Sequence, residues 1–170
     1  KDLYGCTPLH YACDLHSLES SLLSGEGVNA TNDNKEKKIH PMKIISLLLE
    51  NGANVNAKDS VNRSVLHYTA IKRNYDCIKV LLDHGADINA VCDFGKTVLH
   101  EAFEETYYLP DVEVIQLLLS RGVDANKRDK EQKTALDYAV TRRGSENVEW
   151  PEYHHILKIM FDARVHEQLV

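Results

Sequence analysis

The chain has 170 residues, with 20 Lys+Arg against 26 Asp+Glu and a formal net charge of −6. That balance argues against generic nucleic-acid binding, which needs a basic footprint to neutralise phosphates, and the apolar stretches are far too short for a membrane span. Neither a charged-then-apolar leader nor a CxxC pair is visible; the four cysteines, Cys6, Cys13, Cys77 and Cys92, are scattered in a way that suits a reducing compartment.

In chain order, the first element is Gly5-Cys6-Thr7-Pro8-Leu9-His10-Tyr11-Ala12. Leu9, Ala12 and Cys13 fall at helical spacing, which predicts a short amphipathic helix. His10, Cys13 and His16 lie three apart on it, but a fourth ligand is missing, so no zinc site is expected. Residues 16–40 are rich in Ser, Gly, Asn and Lys and read as an exposed insertion, with a short helical start at 18–23. Loop entropy tolerates such an insertion at little cost, so neutral surface elaboration is expected ahead of a partner-contacting loop. A second helix follows through Ile45, Leu48 and Leu49. Gly52 then stands where a left-handed C-cap is wanted.

The same two blocks return. Asn62-Arg63-Ser64-Val65-Leu66-His67-Tyr68-Thr69-Ala70 precedes a helix from Ile78 through Leu81 and Leu82, closed by Gly85. Gly95-Lys96-Thr97-Val98-Leu99-His100-Glu101-Ala102 precedes a helix from Ile115 through Leu119, closed by Gly122. A weaker copy, Gln132-Lys133-Thr134-Ala135-Leu136-Asp137-Tyr138-Ala139, precedes Leu157-Lys158-Ile159-Met160-Phe161, with Arg164 where the glycine would stand. Extra residues fall between first and second helices, and each insertion ends in a proline, Pro41, Pro110 or Pro151, suited to the first turn of a helix. One such helix pair cannot bury its own apolar face. Stacking similar pairs does, which predicts a near one-dimensional solenoid.

Little catalytic chemistry is legible. His100-Glu101 begins an H-E-x-x-H pattern without its second histidine. Glu104, Glu105, Asp111 and Glu113 read as a solvated acidic turn rather than paired acid–base groups. His154 and His155 are adjacent and so point to different sides of a helix. There is no phosphate loop or nucleophile elbow.

These blocks resemble the ankyrin repeat, whose period is about 33 residues with a T-P-L-H-x-A core. The interval from His67 to His100 matches that period, and only the first copy keeps the full Thr-Pro-Leu-His. The resemblance implies an all-α solenoid of helix-turn-helix pairs with β-turn fingers. Repeats are expected at about 1–57, 58–90, 91–127 and 128–164, with a short cap at 165–170. It also implies a non-enzymatic protein-interaction scaffold or adaptor, without cofactor or metal, that binds through the concave face of fingertips and inner helices. Alternatives are a regulatory array within a larger enzyme or channel, or a viral or bacterial effector that mimics a host adaptor. The array begins at a finger with no polar cap, so further repeats or a domain are expected before Lys1.

Carried over by position, the partner-binding candidates are Leu3, Tyr4, Val61, Arg63, Ile71, Lys72, Phe94, Lys96, Lys133 and Arg142. Tyr4, Val61 and Phe94 hold one equivalent position. Arg63, Lys96 and Lys133 hold another, which suggests a partner with an acidic segment. Asn56, Asn89 and Asn126 occupy the finger position that in this family is sometimes hydroxylated, Asn89 matching best; a turn-stabilising hydrogen bond is the plainer expectation. A monomeric cytoplasmic or nuclear protein follows from the resemblance. If the compartment is reducing, all four cysteines should react with a thiol reagent in denaturant without prior reduction; a masked pair would contradict it.

Overall fold

A computed structural model describes residues 1–14, 41–104, 111–142 and 151–167. Eight helices lie within them: α1 at 8–14, where description of the segment stops, α2 Pro41–Glu50, α3 Val65–Ile71, α4 Tyr75–Asp83, α5 Val98–Glu104, α6 Val112–Ser120, α7 Ala135–Arg142 and α8 Pro151–Glu167. The described residues contain no strand, only an isolated antiparallel bridge between Lys58 and Ser64. The insertion at 16–40 and the residues around Pro110 lie outside the described residues.

The helices form two layers. α3 packs on α5 and α5 on α7, while α2 packs on α4, α4 on α6 and α6 on α8. Within pairs, α3 meets α4, α5 meets α6 and α7 meets α8. The layers close on one core that includes Leu9, Ile45, Leu66, Ile78, Leu81, Leu99, Ile115, Leu118, Ile156 and Met160, all fully buried. Each such side chain contributes about 1.5–3 kcal/mol by leaving water.

Local signals set the helix ends. Pro41 and Pro151 are the first residues of α2 and α8. Asn74 caps α4 by accepting the Cys77 N–H at 3.1 Å, and Asp111 caps α6 by accepting the Glu113 N–H. After α4, Gly85 takes φ +82 and donates to the Leu82 carbonyl while Ala86 N–H reaches Leu81. Gly52 and Gly122 close α2 and α6 with the same paired bonds. This is the Schellman arrangement, which satisfies carbonyls the helix leaves open. α8 has no such glycine and runs on through Arg164 to Glu167. The expected cap at 165–170 therefore starts inside a helix, because nothing at Arg164 supplies the left-handed turn.

Between the helix pairs, the fingers pair through their backbones. Ser60 N–H donates to the Tyr4 carbonyl at 2.8 Å, Asp93 N–H to Val61 at 2.9 Å and Lys130 N–H to Phe94 at 3.0 Å. Each finger turns through a left-handed residue: Gly5, Asn62, Gly95 and Gln132. At Gly95 the need for glycine is double. Its φ is +76, and a Cβ there would sit 2.9 Å from the Lys130 backbone nitrogen.

Leu66→Ala and Leu99→Ala should each cost about 2–5 kcal/mol. Gly95→Ala should cost about 1–3 kcal/mol through strain alone, with more from the backbone contact. Urea midpoints at fixed pH check all three, and an unchanged midpoint in either leucine variant would refute the register.

Candidate protein-binding face

The fingers and the inner helices α1, α3, α5 and α7 share one face, and two devices hold it in shape. The first is an imidazole at the start of each of the first three inner helices. His10 Nδ1 accepts the Thr7 N–H, His67 Nδ1 the Ser64 N–H and His100 Nδ1 the Thr97 N–H, at 3.1–3.2 Å. The hydroxyls of the same residues lie 2.8–2.9 Å from those nitrogens. With Nδ1 an acceptor, the proton is on Nε2. His67 Nε2 donates to the Lys96 carbonyl and His100 Nε2 to the Lys133 carbonyl, both at 3.1 Å, each on the following finger. His10 addresses the Arg63 carbonyl in the same way, but too loosely to make a full hydrogen bond. Asp137 replaces the histidine in α7 and accepts from Thr134.

The second device is a carboxylate clamp. Asp59 Oδ1 accepts the N–H groups of Val61 and Arg63, and Oδ2 takes the Tyr68 hydroxyl at 2.8 Å. Asp129 does the same with Glu131, Lys133 and Tyr138, and Asp2 with Tyr4, Cys6 and Tyr11. Burial pushes the Asp59 pKa up, but these hydrogen bonds outweigh it and hold the carboxyl below its ordinary value. Residue-by-residue reading of the sequence missed this clamp. Its signal is an aspartate nine residues before a tyrosine in three repeats. The third repeat breaks it, with Cys92 and Glu101 in those places.

On this frame stand the candidate residues. Leu3 is 99% exposed, Tyr4 72% and Phe94 56%, whereas Val61 is half-buried. Arg63, Lys96 and Lys133 each already have a carboxylate: Arg63 pairs with Asp59 at 3.1 Å, Lys96 with Glu104, and Lys133 with Glu131 at 2.7 Å. Arg63 also lies over the Tyr68 ring, and Lys96 and Lys133 over Tyr138. Lys72 is exposed and pairs with Asp14 on α1 at 3.6 Å. Ile71 is half-buried and lines a cleft with Arg63, Glu101 and Glu104. The backbone of Arg142 ends α7; its side chain is outside the described residues.

Asn56 and Asn89 cross to the next repeat. Asn56 Oδ1 accepts the Asp87 N–H and Asn89 Oδ1 the Asp124 N–H, both at 2.8 Å, and their amides reach the Gly85 and Gly122 carbonyls. Among the described residues, no three His, Cys, Asp or Glu side chains gather as a metal would require. No described helix is long and apolar enough to cross a membrane.

The family description "Ankyrin repeats (3 copies)" matches residues 36–129, and "Ankyrin repeat" matches residues 4–33. The chain belongs to the ankyrin repeat family. Ankyrin repeats are generally protein–protein interaction modules and are typically non-catalytic. A search of curated proteins finds no match to the chain.

The imidazole ladder makes stability sensitive to acid. Burial drives the His67 pKa down to about 4, against 6.5 for a free imidazole, despite its bond to the Lys96 carbonyl. A depressed folded-state pKa gives stability that is present above pH 6.5 and lost as pH falls toward 4. His67 alone accounts for about 3 kcal/mol of that loss. Denaturant midpoints between pH 7 and 4 should fall more steeply for the wild type than for His67→Gln; parallel curves would exclude the assignment.

Proposed function

We propose that this chain is an adaptor that binds a partner protein through its fingertips and inner helices, as a monomeric array with repeats at about 1–57, 58–90, 91–127 and 128–164. The observation that carries this reading is the apolar column on the fingers. Leu3, Tyr4 and Phe94 stand in solvent on backbone turns that are hydrogen bonded to one another. Exposed aromatic side chains on a rigid frame make good anchors, because little conformational freedom remains to be lost on binding.

Electrostatics take second place in this reading. Arg63, Lys96 and Lys133 would meet an acidic partner segment only in competition with Asp59, Glu104 and Glu131. They orient such a segment more than they attract it. The free thiols Cys6, Cys13, Cys77 and Cys92 support a reducing, intracellular setting.

The test begins with a partner captured independently from a reducing lysate and then purified. Phe94→Ala should weaken its binding by about 30-fold, the equivalent of roughly 2 kcal/mol for a buried aromatic anchor. Lys96→Glu should mainly slow association, and less so in high salt. Lys79→Glu, on the outer layer, should bind like wild type. If Phe94→Ala binds normally while substitutions in 16–40 abolish binding, the insertion is the functional surface and the fingers are its support.

A further inference from the structure

Where α1, α3 and α7 carry Tyr11, Tyr68 and Tyr138, α5 carries Glu101. The third finger carries Cys92 in place of the clamp's aspartate, so the hydroxyl-to-carboxylate bond of the other repeats has no counterpart here. Glu101 turns along its own helix instead. Its carboxyl group hydrogen bonds with that of Glu104, one turn later, and Glu104 also takes the Lys96 ammonium. Glu101 is 4% exposed, whereas Glu104 reaches solvent. Both line, with Arg63 and Ile71, a cleft of about 220 Å³.

An ionised carboxylate only accepts hydrogen bonds. Two carboxyl groups bonded to each other therefore need one proton between them. Position decides which group keeps it. Glu101 would have to bury a charge, while Glu104 has both water and Lys96 to support one.

We propose that Glu101 and Glu104 form a proton-operated latch on the binding face: while the shared proton is present, Glu104 is held against Glu101 and Lys96 at the end of α5, and when it leaves, the two carboxylates part and Glu104 swings toward solvent. The latch belongs to the free protein and does not depend on what the face binds.

The surrounding charges permit this. The second finger and α3 contribute Arg63, already held by Asp59, along with Tyr68, whose hydroxyl is bonded to Asp59, and Lys72, which pairs with Asp14. The third finger contributes Lys96, bound to Glu104, and α5 itself His100, which burial keeps neutral. From the fourth finger and α7 come Lys133, held by Glu131, and Tyr138, bonded to Asp129. α6 turns aliphatic Val114, Ile115 and Leu118 inward. Among the described residues, every cation near Glu101 is thus already engaged. Burial, and after it the bond to Glu104, push the Glu101 pKa up to about 8. Burial also raises Glu104, but the bonds from Glu101 and Lys96 outweigh it and hold Glu104 below the usual glutamate value. A raised folded-state pKa gives stability that is full below 4.5 and is lost as pH climbs through about 8.

The experiment is a carboxyl-carbon NMR titration of the whole chain with labelled glutamate, from about pH 5 to 10. One carboxyl, absent from Glu101→Gln, should titrate near pH 8 and move to lower pH in Glu104→Gln. In parallel, the urea midpoint of the wild type should fall relative to that of Glu101→Gln, which keeps a donor to Glu104 but cannot ionise, between about pH 5 and 8. If Glu101→Gln does not fold, the wild-type titration decides by itself. The latch is overturned if every glutamate carboxyl titrates below about pH 6, or if wild type and Glu101→Gln lose stability in parallel.

Discussion

Everything in this stack hangs on a buried imidazole that bonds in two directions. Through Nδ1, His67 and His100 satisfy the start of their own helix. Through Nε2 they hold a carbonyl of the next finger. A ring can do both only in the neutral form, with its proton on Nε2, and burial enforces that form. Local helix capping and long-range stacking are thereby one interaction, so an inner helix that forms correctly is already set to receive its neighbour. The series weakens at both ends. His10 reaches the Arg63 carbonyl only loosely. Asp137 caps α7 but is an acceptor with no second donor to send forward.

The fingers solve a different problem. They have no regular ladder, so their buried N–H groups need individual acceptors. A single aspartate serves two of them and is itself steadied by a tyrosine hydroxyl from the inner helix. This arrangement presents side chains such as Tyr4 outward on a backbone that has little freedom left. The third repeat departs from it at two coupled positions, Cys92 and Glu101. Changing only one would set a carboxyl against a carboxyl, or leave a buried hydroxyl without its acceptor. Changing both exchanges a clamp between finger and helix for a contact within α5.

The helical periodicity of Leu66, Leu99, Ile78 and Ile115, and the glycines that close α2, α4 and α6, were readable in the sequence because each obeys a local rule. The partnerships of the finger residues were not. Asp59 and Tyr68 lie nine positions apart across an irregular turn, a separation with no helical or strand period to betray it. Arg63, Lys96 and Lys133 stood out as a column of like charge. Their neutralising carboxylates come from the turn itself for two of them and from the far end of α5 for the third. Glu104 was legible as acidic but not as half of a pair, since its meaning depends on Glu101 being buried.

The packing of each helix mainly on its immediate neighbours has a kinetic reading. In the described residues, α3 meets α5 and α5 meets α7, while the outer layer repeats the pattern one step at a time. Contacts therefore close short stretches of chain, a topology that assembles fast and needs no distant segment to arrive first. The same locality lets the molecule come apart by degrees. A terminal pair can open while the interior pairs remain shut, because it takes with it only one interface. Amide protons of α3 and α5, walled in on both sides, would then exchange with solvent last, and those at the margins of the array first. An array of this kind opens pair by pair rather than melting as a droplet.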